Sequence, residues 1–269
     1  MIREARVTLA GRTTRYLEAG AGRPIVLLHA FPLNADMWRP QLAQVPSGWR
    51  MVAPDLLGFG LSPRPSGSPP PTLDEVAGDV DGLMYALDIR AAVIVGLSMG
   101  GYLAFALFRR APQRFTGMVL ADTKSQADTQ EGRHGRRKMI ELAEQSGARG
   151  VADQMLPKLL GRTTQQSRPE VGDGVRAMIE AAPVTAIADA SRAMMGRPDS
   201  TADLAAVRCP ALVMVGEEDV ITPPADAAAM QKIIAGSRLV VLPAAGHLSS
   251  LEVPDRFSGA LSEFLRSEL

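Results

Sequence analysis

Residues 92–101 read AVIVGLSMGG, and the interpretation of the whole chain depends on this stretch. Its first four residues are apolar and mostly β-branched, which predicts a buried strand. The pattern Gly-x-Ser-x-Gly follows directly, centred on Ser98, and residues 102–110 then show helical periodicity. A strand, a sharp turn and a helix are the context in which this pattern indicates a nucleophilic serine. Gly96 and Gly100 leave room for the strained turn that we expect at Ser98.

The composition favours a globular protein that acts on a small molecule. The chain has 269 residues, enough for one domain with an inserted lobe, and its 29 basic and 29 acidic residues balance. This balance does not indicate a nucleic-acid partner, and we interpret the basic stretch 133–138 (RHGRRK) as a solvated helix face. The single cysteine, Cys209, excludes an intrachain disulfide, and no metal-ligand spacing is present.

The N-terminal residues and the hydropathy pattern predict a cytoplasmic protein that is not in a membrane. The first residues, MIREAR, contain no apolar signal region. No apolar run reaches the roughly 18 residues that a membrane helix needs.

Strand and helix patterns alternate along the chain, which predicts a mostly parallel, doubly wound sheet. Residues 6–19 alternate weakly, as in a hairpin at a sheet edge, and Thr72 with Glu75 has the spacing of a helix capping box. The remaining strand patterns cover residues 24–28, 49–54, 92–95, 115–122, 211–216 and 238–242, and further helices are expected at about 225–235 and 254–268.

Strand character disappears between Thr123 and Pro198. Gly147, Gly161, Pro169 and Pro183 divide this region into helices. We therefore divide the chain into a first core part (1–122), an inserted helical lid (123–198) and a second core part (199–269). Because the lid is rich in Leu and Met and has no aromatic residue, an adaptable apolar pocket wall and ordinary helix packing are both consistent with it.

A serine hydroxyl needs a neighbouring base, and the chain offers three histidines: His29, His134 and His247. His29 and His247 follow strands, where functional loops of a parallel sheet lie, whereas His134 belongs to the basic stretch. His247 comes after the last strand and before a helix, so its imidazole can project over the sheet edge toward Ser98. We predict that His247 is the base and that His29 braces its own loop.

The base in turn needs a carboxylate that orients it. Residues 216–219 (GEED) follow a strand, and Asp219 lies deepest in the turn. Asp122, after its own strand, remains the competing acid. We predict that the backbone N–H groups of Met99 and Phe31 bind the oxyanion that forms during acyl transfer.

Five motifs together resemble the α/β-hydrolase superfamily: residues 29–32 (HAFP), 55–62 (DLLGFGLS), 96–101 (GLSMGG), 216–219 (GEED) and 246–247 (GH). The resemblance covers essentially the whole chain. It is strongest to small bacterial carboxylesterases and aryl esterases, to cofactor-free haloperoxidases (perhydrolases) and to enol-lactone hydrolases.

The resemblance implies an α/β-hydrolase fold with a Ser98–His247–Asp219 triad and an oxyanion hole from Phe31 and Met99, without a metal or cofactor. Ala30 departs from the glycine usual at its position. A serine nucleophile differs from the aspartate of the similar haloalkane dehalogenases and epoxide hydrolases.

The implied function is hydrolysis of small carboxylic esters, with perhydrolysis as a side activity. Lactone or enol-lactone hydrolysis and carbon–carbon bond hydrolysis use the same triad. A small-molecule receptor on this fold is the alternative from another class. A substrate carboxylate would need a cation, for which the lid offers Arg133, Arg136, Arg137 and Lys138.

Overall fold

An eight-stranded sheet forms the centre of the computed structural model, which describes residues 1–9 and 11–269. Ala10, part of the predicted hairpin 6–19, lies outside the described residues. The strands are β1 (Arg3–Leu9), β2 (Arg12–Gly20), β3 (Arg23–Leu28), β4 (Trp49–Pro54), β5 (Ala92–Leu97), β6 (Phe115–Ala121), β7 (Ala211–Gly216) and β8 (Arg238–Leu242).

The sheet is mostly parallel, as the alternation of strands and helices predicts. Its strand order is β1-β2-β4-β3-β5-β6-β7-β8. The hairpin β1–β2 is antiparallel and lies at one edge, and the strands from β3 to β8 pair in parallel. Every residue of β5 is buried, and the strand pairs with β3 on one side and β6 on the other.

Helices connect the strands and cover the sheet. They are α1 (Arg39–Leu42), α2 (Leu73–Ala86), α3 (Met99–Arg110), α4 (Gln130–Leu159), α5 (Arg162–Ser167), α6 (Pro169–Glu180), α7 (Val184–Met195), α8 (Thr201–Leu204), α9 (Pro224–Ile233), α10 (Ser249–Glu252) and α11 (Pro254–Glu268), with short 3₁₀ turns at Ala35–Trp38 and Pro112–Arg114. The capping box predicted from Thr72 and Glu75 is present at the start of α2.

Helices α4 to α7 all lie between β6 and β7. Gly147 has a non-helical backbone (φ of +66°, ψ of −174°) and separates two helices within the span of α4, as the sequence predicts. Gly161, Pro169 and Pro183 also mark helix boundaries, because each stands at or next to the first residue of a helix. The division of the chain at residues 122 and 198 stays a prediction.

Four of the five methionines of the helical segment pack in or against the core. Met194 is buried, and Met139, Met155 and Met178 pack against the core cluster. The alternative of ordinary helix packing therefore describes these methionines better than an adaptable pocket wall.

None of the helices in the two described ranges has the length and apolar character required to cross a bilayer.

Candidate active site

Ser98 lies at the sharp turn between β5 and α3, with φ of +54° and ψ of −111°. This region is unfavourable for a residue with a side chain and costs about 1–3 kcal/mol. The surroundings hold it: Ser98 N–H donates to the Ala121 carbonyl (3.0 Å), and Thr123 Oγ1 donates to the Ser98 carbonyl (2.9 Å). A Cβ at Gly96 or Gly100 would collide with backbone atoms, so glycine is required on both sides of the turn.

The structure brings the three residues of the predicted triad together. Ser98 Oγ lies 2.8 Å from His247 Nε2, and His247 Nδ1 lies 2.8 Å from Asp219 Oδ2. Asp219 follows β7 and His247 follows β8, so all three side chains lie at the carboxyl ends of strands. Since a carboxylate only accepts, Nδ1 carries the proton and Nε2 is free to accept one from Ser98.

Asp219 is held as a carboxylate by its own turn. Its Oδ1 accepts from the N–H groups of Ile221 (2.8 Å) and Thr222 (3.0 Å), and its Oδ2 accepts from Thr222 Oγ1 (2.7 Å). Burial alone would raise the pKa of Asp219, but the charge and hydrogen bond of His247 and the bonds from Thr222 lower it below its usual value. The side chain therefore carries a negative charge next to the imidazole.

The electrostatics of His247 favour its protonated form. Burial lowers the pKa of the imidazole, but the charge and hydrogen bond of Asp219, followed by the charges of Asp122 and Glu252, outweigh burial and raise the pKa above its ordinary value. An imidazole with a raised pKa accepts a proton more readily, which is the property required of a general base.

Asp122, the competing acid, braces the site from another position. Its Oδ1 accepts from Gly216 N–H (2.8 Å), and its Oδ2 accepts from the N–H and the hydroxyl of Ser249. Burial and the charge of Asp219 raise the pKa of Asp122 to about 8. Its hydrogen bonds thus connect the end of β7 to the start of α10, and Asp219 is the acid that contacts His247.

The two predicted oxyanion donors come from the elbow itself and from the loop after β3. Met99 is the first residue of α3, where the N–H groups of a helix have no partner within the helix. Phe31 lies in the buried loop after β3. Within the described part of the chain, neither N–H donates to another protein atom. Their assignment as oxyanion donors stays a prediction.

His29 connects the loops that follow β3 and β4. Its Nδ1–H donates to the Ala30 carbonyl (3.0 Å), and its Nε2 accepts from Leu56 N–H (3.0 Å). The ring is completely buried, and burial lowers the pKa of His29 to about 4. His29 is therefore neutral at pH 7, and its contacts agree with the bracing role expected for it.

A buried ion pair that the sequence motifs did not reveal holds the loop after β4. Asp55 accepts from the N–H groups of Ala35 (2.8 Å) and Leu61 (2.8 Å), and the Arg15 guanidinium lies 3.2 Å from its Oδ2. Arg15 comes from β2, far away in the sequence. It belongs to no short motif, so no signal in the sequence pointed to it.

A cavity of about 450 Å³ lies beside the elbow. Met99 and Leu103 of α3 form part of its wall, and the loop 56–71 and helix α7 form most of the rest. The lining is largely apolar: Leu56, Leu57, Phe59, Pro63, Leu73, Val76, Pro183, Ala186, Ala190 and Ala193 are among its residues.

The charged residues of the cavity wall are Arg64 and Asp189. Arg64 Nε lies 2.9 Å from Asp189 Oδ2, and Arg64 also donates to the Ser68 and Pro69 carbonyls. The four basic residues considered in the sequence, from Arg133 to Lys138, are not part of this wall. Among the residues that the structure describes, no cluster of three His, Cys, Asp or Glu side chains could hold a metal ion.

Residues 23–254 match the family model described as alpha/beta hydrolase fold. The chain belongs to this family. A thermophilic esterase from Thermogutta terrifontis has a similar structure, with a TM-score of 0.92 and 38% identity over 98% of both chains. The enol-lactonase from Burkholderia xenovorans LB400 is also similar, with a TM-score of 0.89 and 29% identity over 98% of this chain and 100% of its own.

One curated relative is 3-oxoadipate enol-lactonase 1 from Acinetobacter baylyi. It is 28% identical over 246 residues, which cover 90% of this chain and 88% of the relative. The α/β-hydrolase resemblance, with esterases and enol-lactonases among the similar proteins, is therefore confirmed. These similarities support a hydrolase, and the choice of substrate belongs to the proposal below.

His29 should make the stability of the α/β-hydrolase domain depend on pH. The folded-state pKa of about 4 lies below the ordinary 6.5, so the unfolded state binds the proton more readily between these values. The contribution of His29 is complete above about pH 6.5, and about 3 kcal/mol is lost as the pH falls to 4. Urea unfolding of wild type and His29→Gln from pH 4 to 7 measures this difference.

The control is His134→Gln, because His134 is exposed. It should parallel wild type at every pH. A His29→Gln variant whose unfolding free energy keeps the wild-type pH dependence would contradict a neutral, buried His29.

Proposed function

We propose that the protein hydrolyses carboxylic esters of small molecules through an acyl-enzyme formed on Ser98. The observation that carries the proposal is the continuous hydrogen-bond chain from Ser98 Oγ through His247 to Asp219, with both contacts at 2.8 Å. Nucleophile, base and orienting acid in this order of contact are the requirements for acyl transfer by a serine.

In the first half-reaction, His247 Nε2 takes the proton of Ser98 as Oγ attacks the ester carbonyl. Asp219 stabilises the imidazolium that forms, since its carboxylate accepts the Nδ1 proton. The N–H groups of Met99 and Phe31 bind the oxyanion of the tetrahedral intermediate. The imidazolium then gives its proton to the departing alkoxide, and the alcohol leaves the acyl group on Ser98.

In the second half-reaction, His247 removes a proton from water, which attacks the acyl carbonyl. A second tetrahedral intermediate occupies the same oxyanion donors. Its collapse breaks the bond to Ser98 Oγ, and His247 returns the proton to that oxygen. The carboxylic acid leaves, and the free enzyme is restored without a metal or cofactor.

The cavity beside the elbow supports an ester with an apolar part. Its volume of about 450 Å³ lies in the range of small-molecule pockets, and Met99, the residue after the nucleophile, is part of its wall. Its lining is dominated by Leu, Pro and Ala side chains. Such a wall binds hydrocarbon by removing apolar surface from water.

The same cavity favours esters over lactones that carry a free carboxylate. A substrate carboxylate needs an available cation, and the cation in the described cavity wall is Arg64. Its guanidinium is already engaged by Asp189 and by the Ser68 and Pro69 carbonyls. The enol-lactonase relatives keep lactone hydrolysis as the second candidate, and comparing carboxylated lactones with acyclic esters distinguishes the two.

Replacing the nucleophile should abolish turnover. We expect Ser98→Ala to lower kcat for p-nitrophenyl acetate and butyrate by about 10⁴-fold or more, because no acyl-enzyme can form. Release of p-nitrophenol by purified protein is the measurement. Ser267→Ala, at an exposed serine of α11, is the control and should match wild type. Ser98→Ala that keeps wild-type turnover would refute the proposal.

The charge of Asp219 should set the pH profile. His247 must be neutral to act as a base, and its pKa is raised. The kcat/KM of wild type should therefore fall with decreasing pH, with a midpoint above about pH 6.5, the ordinary pKa of histidine. Asp219→Asn removes the charge and favours the wrong tautomer. We expect kcat to fall by about 10⁴-fold, with the acid limb of the residual activity at lower pH.

The matched control is Asp255→Asn, which changes an exposed aspartate of α11 by the same chemistry. It should keep both the rate and the acid limb of wild type. Equal pH profiles and rates in Asp219→Asn and wild type would show that Asp219 does not act on His247.

Filling the cavity should discriminate between substrates by acyl length. Ala190 is buried on α7 and lines the cavity. We expect Ala190→Leu to lower kcat/KM for p-nitrophenyl octanoate by about ten- to a hundredfold, because the larger side chain occupies the space of a few methylene groups. The kcat/KM for p-nitrophenyl acetate should fall by less than about threefold. Ala225→Leu, exposed on α9, is the control. An equal effect on both esters would contradict an acyl pocket at this place.

A further inference from the structure

Glu252 is a buried glutamate whose carboxylate binds three backbone N–H groups. It lies on α10 and is only 2% exposed. Its Oε1 accepts from Gly246 N–H (2.9 Å) and Leu248 N–H (3.1 Å), and its Oε2 accepts from Gly161 N–H (2.7 Å). A charge taken out of water is costly unless it is hydrogen-bonded, so these three contacts are what keep the carboxylate in this position.

Two of these contacts lie directly on either side of His247. The N–H of His247 itself donates to the Leu159 carbonyl at the end of α4 (3.0 Å). Three successive N–H groups, of residues 246 to 248, are thus anchored by Glu252 and α4. The His247 side chain has only two rotatable bonds, so the position of its imidazole depends closely on the backbone. The imidazole therefore reaches Ser98 and Asp219 only if residues 246–248 keep their position.

The third contact joins Glu252 to Gly161, which lies in the short connection between α4 and α5. A Cβ on Gly246 would collide with the Gly161 backbone, so the two chain segments are in close contact at this point. The loop that carries Asp219 is attached to the same region. Glu218, next to Asp219, accepts from the N–H (2.8 Å) and the hydroxyl (2.5 Å) of Thr163. The loops of the base and of the acid are therefore both attached to residues 159–163.

We propose that Glu252 is a positioning residue for His247, and that it couples the helical segment at residues 159–163 to the base. The proposal rests on the function proposed above. Glu252 touches neither substrate nor the reacting atoms. It acts through the backbone around His247, so loosening this junction should lower the rate of the chemical step and leave substrate binding largely intact.

The charges that face His247 give this role a second readout. Asp219, Asp122 and Glu252 all raise the pKa of His247 against the effect of burial. Removing the charge of Glu252 should therefore lower that pKa and move the acid limb of kcat/KM to lower pH. A purely structural glutamate distant from the imidazole would leave both unchanged.

Two variants separate position from charge. Glu252→Gln can keep an oxygen acceptor for Gly246 and Leu248, but its amide N–H₂ faces the N–H of Gly161 and the charge is lost. Glu252→Asp keeps the charge and withdraws the carboxylate by one methylene. Glu263→Gln is the control, since Glu263 is an exposed glutamate of α11 and the change in net charge is the same.

The experiment combines ester kinetics with NMR titration of the histidine Cε1–H signals. Only three histidines exist, and His247→Gln identifies the signal of His247. In Glu252→Gln we expect kcat to fall by about ten- to a hundredfold, KM to change by less than about threefold, and the His247 titration to move to lower pH. Glu252→Asp should lose kcat with a titration close to that of wild type, and Glu263→Gln should match wild type in all three measurements.

A folded Glu252→Gln with wild-type kcat and an unchanged His247 titration would overturn the proposal. If that variant does not fold, Glu252→Asp carries the test, and wild-type kcat in it would overturn the proposal equally. The titration needs no turnover. Wild-type protein that hydrolyses none of the esters would therefore contradict the proposed function, whereas a lowered His247 titration in Glu252→Gln would still support the link between the two residues.

Discussion

The left-handed backbone of Ser98 is the constraint on which the site depends. A residue with a side chain adopts this conformation only where the surroundings enforce it. Here two hydrogen bonds hold the conformation, one from the Ser98 N–H to the Ala121 carbonyl at the end of β6 and one from the Thr123 hydroxyl in the loop after β6. The tight contact of α3 with β5 adds to them. The turn places Oγ at the carboxyl end of the sheet and Met99 N–H at the start of a helix, so one local strain provides both a nucleophile and an anion-binding end.

Three acidic residues lie near the imidazole that serves this serine, and each has a different role. Asp219 contacts the ring and stays charged through the hydrogen bonds of its own turn. Asp122 connects β7 with α10 from a buried position. Glu252 holds the backbone around His247 and reaches the helical segment. Backbone N–H groups satisfy the carboxylates of Asp219 and Glu252, whereas Asp122, with a pKa of about 8, is mostly protonated at neutral pH. The charge of Asp219, in direct contact with the ring, is the main cause of the raised pKa of His247.

Local patterns predicted the sheet, the elbow and the meeting of Ser98, Asp219 and His247, because strand ends of a parallel sheet converge and the motifs follow strands. Contacts made by long-range packing were not predictable in the same way. The sequence around Arg64 is rich in proline and predicted only a surface loop, yet Arg64 lines the cavity and contacts Asp189. Glu252 belongs to none of the motifs recognised in the sequence, and one of its three partners lies 91 residues away.

The most direct test of the account is covalent labelling by a p-nitrophenyl alkylphosphonate, followed by mass spectrometry of the intact protein and its peptides. Phosphonates react with a serine only where a base activates it, so the reaction reports the Ser98–His247 contact without any knowledge of the natural substrate. The account predicts one adduct per chain, located on Ser98, and a rate of labelling that falls steeply in His247→Gln. An unlabelled, folded wild type, or an adduct on another residue, would contradict it.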